Sequence, residues 1–224
     1  MRLREVLPLA FVLGGCNASY APPLRSTHYG LPGRLSSGQG ELSVAAAIPH
    51  PHGSASLSIP VSDRVRVEST YDLSDTWHLG SAGLRGTVPL DPRWSLDFEG
   101  GVGAGVGGER CGNDDESGHT CEAGAADGLH ASDRFAYGAY AGAGVGVRPW
   151  RALGFFARGR AQVSAATNTP VTAWGSGVLG LELATGPLRT HLSGGVAVYS
   201  NRAETQSGGL IELGLSVPFS LTGR

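Results

Sequence analysis

The sequence contains no lysine. All 17 of its basic residues are arginine, and against 19 acids they leave a net charge of -2 at pH 7. With no basic surplus, a polyanion partner is excluded, nucleic acid included. Charged residues are only 16% of the chain, which argues against a charge-driven disordered tail. Long hydrophobic runs are missing as well. The apolar stretch Val6 to Val12 falls well short of the roughly 20 residues of a membrane-spanning helix. Cysteine is scarce, with 3 in 224 residues and no Cys-x-x-Cys pair, so a zinc-ribbon type of metal site has no basis. No Gly-rich loop runs from a strand into a helix, and the repeated Gly-x-Gly pattern therefore reads as sheet packing and not as a nucleotide site. What is abundant is glycine, 36 residues, alongside 41% hydrophobic residues. That combination points to a β protein.

Arg2 and Arg4 precede the short apolar run, and small residues follow it, which is the layout of an export signal. Its exit, Leu13-Gly14-Gly15-Cys16, resembles the lipobox of bacterial lipoproteins. That resemblance implies a signal peptide over 1–15, lipidation of Cys16 as the mature N-terminus, and, with Asn17 in place of an inner-membrane retention aspartate, transport to the outer membrane. An ordinary signal peptide cleaved a few residues later is the alternative. Residues 16–39 are rich in Pro, Gly and Ser, include Pro22-Pro23, and read as a flexible periplasmic tether. Export also bears on Cys111 and Cys121, which lie in an acidic, Gly-rich segment. In an oxidising compartment these two thiols are expected to close a loop disulfide.

From residue 40 to about 220 the chain alternates with period two. Trp94, Leu96, Phe98, Gly100, Val102, Ala104 and Val106 share one face, while Arg93, Ser95, Asp97, Glu99 and three glycines share the other. Phe135 to Val147 repeats the pattern. Ten strands are predicted, near 41–49, 54–61, 64–71, 78–89, 93–106, 134–147, 152–165, 173–185, 188–199 and 208–219. Tight turns at Ser62-Asp63, Asp91-Pro92, Pro149-Trp150 and Gly186-Pro187 interleave with looser connections, the longest over 107–133. Short turns at one end and long loops at the other are the habit of an antiparallel up-and-down transmembrane β-barrel. An even strand count then puts both chain ends on the periplasmic side and the 107–133 loop outside.

Alternation alone does not say which face points outward, because a soluble barrel has apolar residues inside and a membrane barrel has them outside. Three features favour the membrane. The polar face contains runs of bare glycine and no lysine; several strands exceed the roughly 9–11 residues that cross the hydrocarbon; and Tyr71, Trp77, Trp94, Phe135, Tyr137, Trp150, Trp174, Tyr199 and Phe219 gather near strand ends as candidate interface girdles. The last strand adds a resemblance. In Glu212-Leu213-Gly214-Leu215-Ser216-Val217-Pro218-Phe219, the residues Glu212, Gly214, Val217 and Phe219 fill the pattern of the β-signal of outer-membrane proteins. That implies recognition by the barrel-assembly machinery. Two departures are the five residues after Phe219 and the missing ladder donor at Pro218.

With the apolar face toward outer-membrane lipid, the inward set comprises Glu41, Arg64, Arg66, Glu68, Arg85, Arg93, Asp97, Glu99, Arg158, Arg160, Gln162, Glu182, Arg189, His191 and Glu212. Arginines and acids nearly balance, so a salt-bridged interior without a wide pore is expected, since an unpaired ion held away from water costs several kcal/mol. A narrow anion-selective conduit is the rival. Glu182, His191 and Ser193 share the inner face and define the catalytic set to test, though their depth in the barrel speaks against hydrolysis of an outside substrate. At the long-loop end His50, His52, His78, His119 and His130 accompany Asp72, Asp75, Asp114, Asp115, Glu116 and Asp127, residue types that suit metals, yet polar loops are usually just solvated, and that is the reading taken here. The sequence therefore leads to a non-enzymatic outer-membrane β-barrel lipoprotein of the cell envelope, without cofactor or metal, in a surface or structural role. A lipid-tethered soluble barrel with an apolar ligand and a barrel-borne hydrolase remain as alternatives.

Overall fold

The computed structural model of the protein describes residues 21–25, 27–31, 38–48, 52–74, 77–107, 134–167, 170–202 and 205–221. Cys16, Cys111 and Cys121, the signal segment, nearly all of the 107–133 loop, and His50, Asp75, His119 and His130 lie outside the described residues. Ten strands follow one another: β1 Gln39–Ile48, β2 His52–Pro60, β3 Val65–Leu73, β4 Trp77–Pro89, β5 Trp94–Gly107, β6 Arg134–Val147, β7 Leu153–Ala166, β8 Thr172–Thr185, β9 Leu188–Ser200 and β10 Thr205–Ser220. Each pairs antiparallel with its sequence neighbours, and β1 pairs with β10 from Gln39↔Ser220 to Ile48↔Ile211. The sheet is therefore a closed up-and-down barrel, and closure removes the free edges that an open sheet would present.

The expected strands and the observed ones differ by three residues at most. The largest difference falls at the start of β10, followed by two residues each at the start of β1 and β2 and at the end of β3, where pairing extends beyond the apolar alternation. Backbone chemistry sets the tight turns. The Asp91 carboxylate accepts from the N–H groups of Arg93 and Trp94 at 2.6 Å and 2.7 Å, closing an Asx turn. Gly186, in the connection between β8 and β9, has a positive φ of 62°. A side chain there would be strained.

The two faces of the wall separate cleanly. Val102, Leu179 and Val196 point outward and are 63%, 70% and 58% exposed, while Asp97 and Glu212, on inward positions, are 1% and 0% exposed. The barrel thus wears its apolar residues outside and its charges inside. A soluble barrel built around an apolar ligand would have the opposite arrangement.

Two sequence expectations are corrected here. Residues 21–25 and 27–31, read as part of a tether, are not a tether: Ala21, Leu24, Arg25, Thr27, His28, Tyr29, Gly30 and Leu31 are all buried. Their contacts are with the inner faces of the strands, as described below, so this segment stops the lumen. Arg64 and Arg93, assigned to the lumen, stand exposed in the tight turns next to β3 and β5. Alternation was extended one residue past the strand in both cases.

Candidate functional site

The site is the barrel interior with the N-terminal segment threaded into it. Ala21 sits at the long-loop mouth. Its N–H donates to Thr172 Oγ1 at 3.1 Å, and its carbonyl accepts from Trp174 Nε1 at 3.0 Å and from Ser164 Oγ at 3.3 Å. Leu79, Ala136 and Ala166 pack around its methyl group, with Trp77 beside them. Trp77, Trp174 and Tyr199, expected in an outer girdle, instead lie on inward positions of their strands. The rings of Trp174 and Tyr199 are 4.9 Å apart, and the aromatic residues form part of a collar where the segment enters. Tyr71, Trp94, Phe135, Tyr137, Trp150 and Phe219 do face outward near strand ends.

At mid-barrel the segment becomes ionic. Arg25 exchanges two hydrogen bonds with Gln162, its N–H donating at 2.9 Å and its carbonyl accepting at 2.8 Å. Its guanidinium donates to Glu68 at 2.7 Å and to Tyr140 Oη at 3.2 Å, and lies 3.8 Å from Glu99. Glu99 is the hub. It takes Arg160 at 2.6 Å and Arg158 at 3.5 Å, and Arg158 also binds Asp97 at 2.9 Å. Arg160 reaches back to the segment, donating to the carbonyls of Arg25 and Thr27 at 3.0 Å each and capping the Tyr29 ring at 4.3 Å. Backbone groups that a tether would leave to water are thereby paired to the wall.

His28, at φ 64°, turns the chain sharply. Its Nε2 lies 2.9 Å from Ser54 Oγ, which is also 2.6 Å from the Thr27 hydroxyl, and that hydroxyl donates to Asp72 at 3.1 Å. Asp72, expected among the outside carboxylates, is therefore an inner-face residue of β3. Tyr29 donates its N–H to Glu212 at 3.0 Å, and its hydroxyl is 2.6 Å from Ser176 Oγ. Glu212 also bonds His191, whose ring meets Phe156 edge-on. Gly30 offers its carbonyl to Arg85 at 2.6 Å. Leu31 ends at the tight-turn mouth, where a Cβ on Gly154 would come within 2.8 Å of it.

Glycine on β5 and β6 makes the room. A Cβ at Gly101 would fall 2.6 Å from Tyr140 Oη, and one at Gly138 would fall 3.0 Å from Leu24. The bare floor is thus the seat of Tyr140 and Leu24. Remaining lumen residues pair locally: Arg85 with Glu68 at 3.5 Å, Arg148 with Glu182 at 2.8 Å, and Arg189 with Glu41 at 3.5 Å, while Arg66 is inward and buried.

The catalytic trio does not assemble. Glu182 and His191 are register partners, but Glu182 accepts Arg148 and His191 is held by Glu212. Ser193 Oγ is buried and has no hydrogen-bond partner among the described residues. Of the histidines at the long-loop end, His78 lies exposed beside Tyr71, whose hydroxyl is 2.7 Å from its Nδ1. Among the described residues no cluster of His, Cys, Asp or Glu could hold a metal. At the seam, the four positions of the C-terminal motif divide between faces. Glu212 and Gly214 are buried inside, and Val217 and Phe219 are outside, the Phe219 ring lying over Gly40 of β1. The strand continues through Pro218, which pairs with Glu41.

Sequence reasoning missed Arg25, Thr27, His28, Tyr29, Tyr140 and Arg148. One signal was available: Leu24 to Leu31 carries Arg, His, Tyr and two leucines, too much binding surface for a spacer.

No family model matches the sequence, and no curated relative matches it. Solved structures do. The N-terminal β-barrel domain of Pseudomonas aeruginosa OprF is similar at 10% identity, over 82% of this chain and 98% of that one, with a TM-score of 0.41. A bacterial polysaccharide outer membrane secretin matches at 9% identity, over 83% of this chain and 66% of that one, with a TM-score of 0.45. A KdgM porin matches at 10% identity, over 80% of this chain and 99% of that one, with a TM-score of 0.38. At such identities the likeness concerns barrel architecture and not activity.

Proposed function

We propose that this protein is a bacterial outer-membrane β-barrel lipoprotein with a stoppered lumen, acting in the cell envelope as a surface or structural element and not as an enzyme or an open pore. The single observation that carries this reading is the inside-out wall: an apolar outer face around a charged lumen that the N-terminal segment fills. An apolar belt on a closed barrel suits lipid, because every backbone group is satisfied within the sheet. Paired charges and wall-bonded backbone along the axis leave the arginines committed to carboxylates and carbonyls, which removes the basis for an anion-selective conduit. Cys16 as the acylated N-terminus, residues 107–133 as an outside loop closed by Cys111 and Cys121, and Glu212, Gly214, Val217 and Phe219 as the assembly signal belong to the same reading.

The test is membrane behaviour plus conductance. The full chain should sediment with outer membranes, run at different positions on gels with and without boiling, and give no conductance steps in planar bilayers. A chain freely soluble and monomeric without detergent would overturn the membrane reading; steady single-channel steps from the intact protein would overturn the stopper.

A further inference from the structure

The path of the stopper has a direction. Ala21 is fixed at the long-loop mouth by Thr172, Trp174 and Ser164, residues that flank the β7–β8 connection. Leu31 is at the opposite mouth, against Gly146 and Gly154 on either side of the β6–β7 turn. Gly38 lies at that same mouth, accepting the N–H of Leu221, and Gln39 opens β1 there. The chain therefore descends the lumen once before the first strand begins, so whatever precedes Ala21 continues from the long-loop side.

We propose that the barrel threads its own N-terminus, so that residues 16–20 emerge at the face carrying the long loops and any anchor on Cys16 is delivered to the outer leaflet. This reading departs from the expectation of a periplasmic N-terminus, and for the anchor and for which mouth is outside it rests on the reading proposed above. The distance argument is simple. Cys16 lies five residues ahead of Ala21, and those five steps, fully extended, span about 17 Å; the hydrocarbon core is about 30 Å thick. Return through the lumen is blocked as well. Arg25, Thr27, His28 and Tyr29 already occupy the axis, and a second strand of backbone beside them would find few free partners. The consequence is a lipoprotein tethered from the cell's outer side.

Surface labelling tests this in intact cells producing the full chain. In a Cys111→Ser, Cys121→Ser background, single cysteines are placed by Ser19→Cys, by Gly124→Cys in the long loop and by Ser62→Cys in a tight turn, and treated with a membrane-impermeant maleimide. Only the fraction with heat-modifiable gel mobility is scored, so misfolded variants do not count, and the background without added cysteine sets the baseline. The expected result is that positions 19 and 124 label equally and position 62 labels only after permeabilisation. If 19 follows 62 instead of 124, threading is overturned. If 62 labels and 124 does not, the orientation assumed above falls, while threading still stands provided that 19 follows 124. Radiolabelled palmitate incorporation, compared between the wild type and Cys16→Ser, tests the anchor separately; no difference removes the anchor and leaves the threading result intact.

Discussion

The two faces of β7 are built from the same fourteen residues and meet opposite surroundings. Phe155, Ala157, Gly159, Ala161 and Val163 look outward, while Phe156, Arg158, Arg160, Gln162 and Ser164 look inward. Shifting the register by one residue would exchange the two sets. The outer set faces away from the rest of the fold and constrains little beyond being apolar. The inner set makes named contacts to Asp97, Glu99, the backbone of Arg25 and Thr27, and Ala21. The uniqueness of this barrel thus resides on its charged side, where Arg158, Arg160, Gln162 and Ser164 each have a specific partner, and its lipid solubility resides on the other.

The sharpest way to break that comparison is at Glu99. Its carboxylate faces Arg25, Arg158 and Arg160 at once, so Glu99→Gln leaves three buried guanidinium groups short of a counter-charge. Removing one partner from a buried ion network costs about 3 to 5 kcal/mol. Urea unfolding of the refolded protein in lipid vesicles should show a loss of that order. Glu182→Gln should lose less, since its partner Arg148 is 28% exposed and can turn to water. Equal losses at the two positions would mean that the Glu99 cluster is not the ionic centre of the lumen.

The second test sits on the outer face. Leu179 on β8 is 70% exposed. Arginine on a lipid-facing position near the bilayer midplane costs about 2 to 4 kcal/mol, so Leu179→Arg should destabilise the barrel in vesicles by that amount while breaking no ionic contact within the protein. The same substitution near a strand end, at Val106, should cost about 0 to 1 kcal/mol, because arginine there reaches the interface. A flat response across the two positions would mean that no lipid belt surrounds the barrel.

Sequence alone made the wall legible and the stopper invisible, and the reason is physical. A strand announces itself because period-two alternation is forced by the pleat, so the ten strands and the inward places of Asp97, Glu99, Arg158 and Arg160 follow from local pattern. Arg64 and Arg93 were misplaced because the pattern does not say where the pleat stops and the turn begins. The segment 21–31 has no repeat, and its contacts are long-range: Arg25 meets Glu68, Glu99, Tyr140 and Gln162, each on a different strand. Composition rich in proline and serine reads as a spacer whenever such partners are out of sight. Trp77, Trp174 and Tyr199 were placed outside because nothing local distinguishes a ring that faces lipid from one that surrounds an incoming chain.

The smallest expected effect isolates one polar contact between stopper and wall. In Tyr29→Phe the ring stays under Arg160, 4.3 Å from the guanidinium, and only the hydroxyl bonded to Ser176 at 2.6 Å is lost. A single neutral hydrogen bond contributes about 0.5 to 1.5 kcal/mol, so the unfolding free energy should fall by roughly 1 kcal/mol. Ser176→Ala should fall similarly, and the double variant should lose less than the sum, since the two changes delete the same bond. Tyr29→Leu removes the ring as well and forfeits the cation–π contact, an additional loss of about 2 kcal/mol at a desolvated site. Strict additivity of Tyr29→Phe and Ser176→Ala would mean that the Tyr29 hydroxyl does not dock on β8. The stopper would then be held by its backbone, by Arg25, Thr27 and His28, and by the Tyr29 ring under Arg160, without a polar link to β8 at this point.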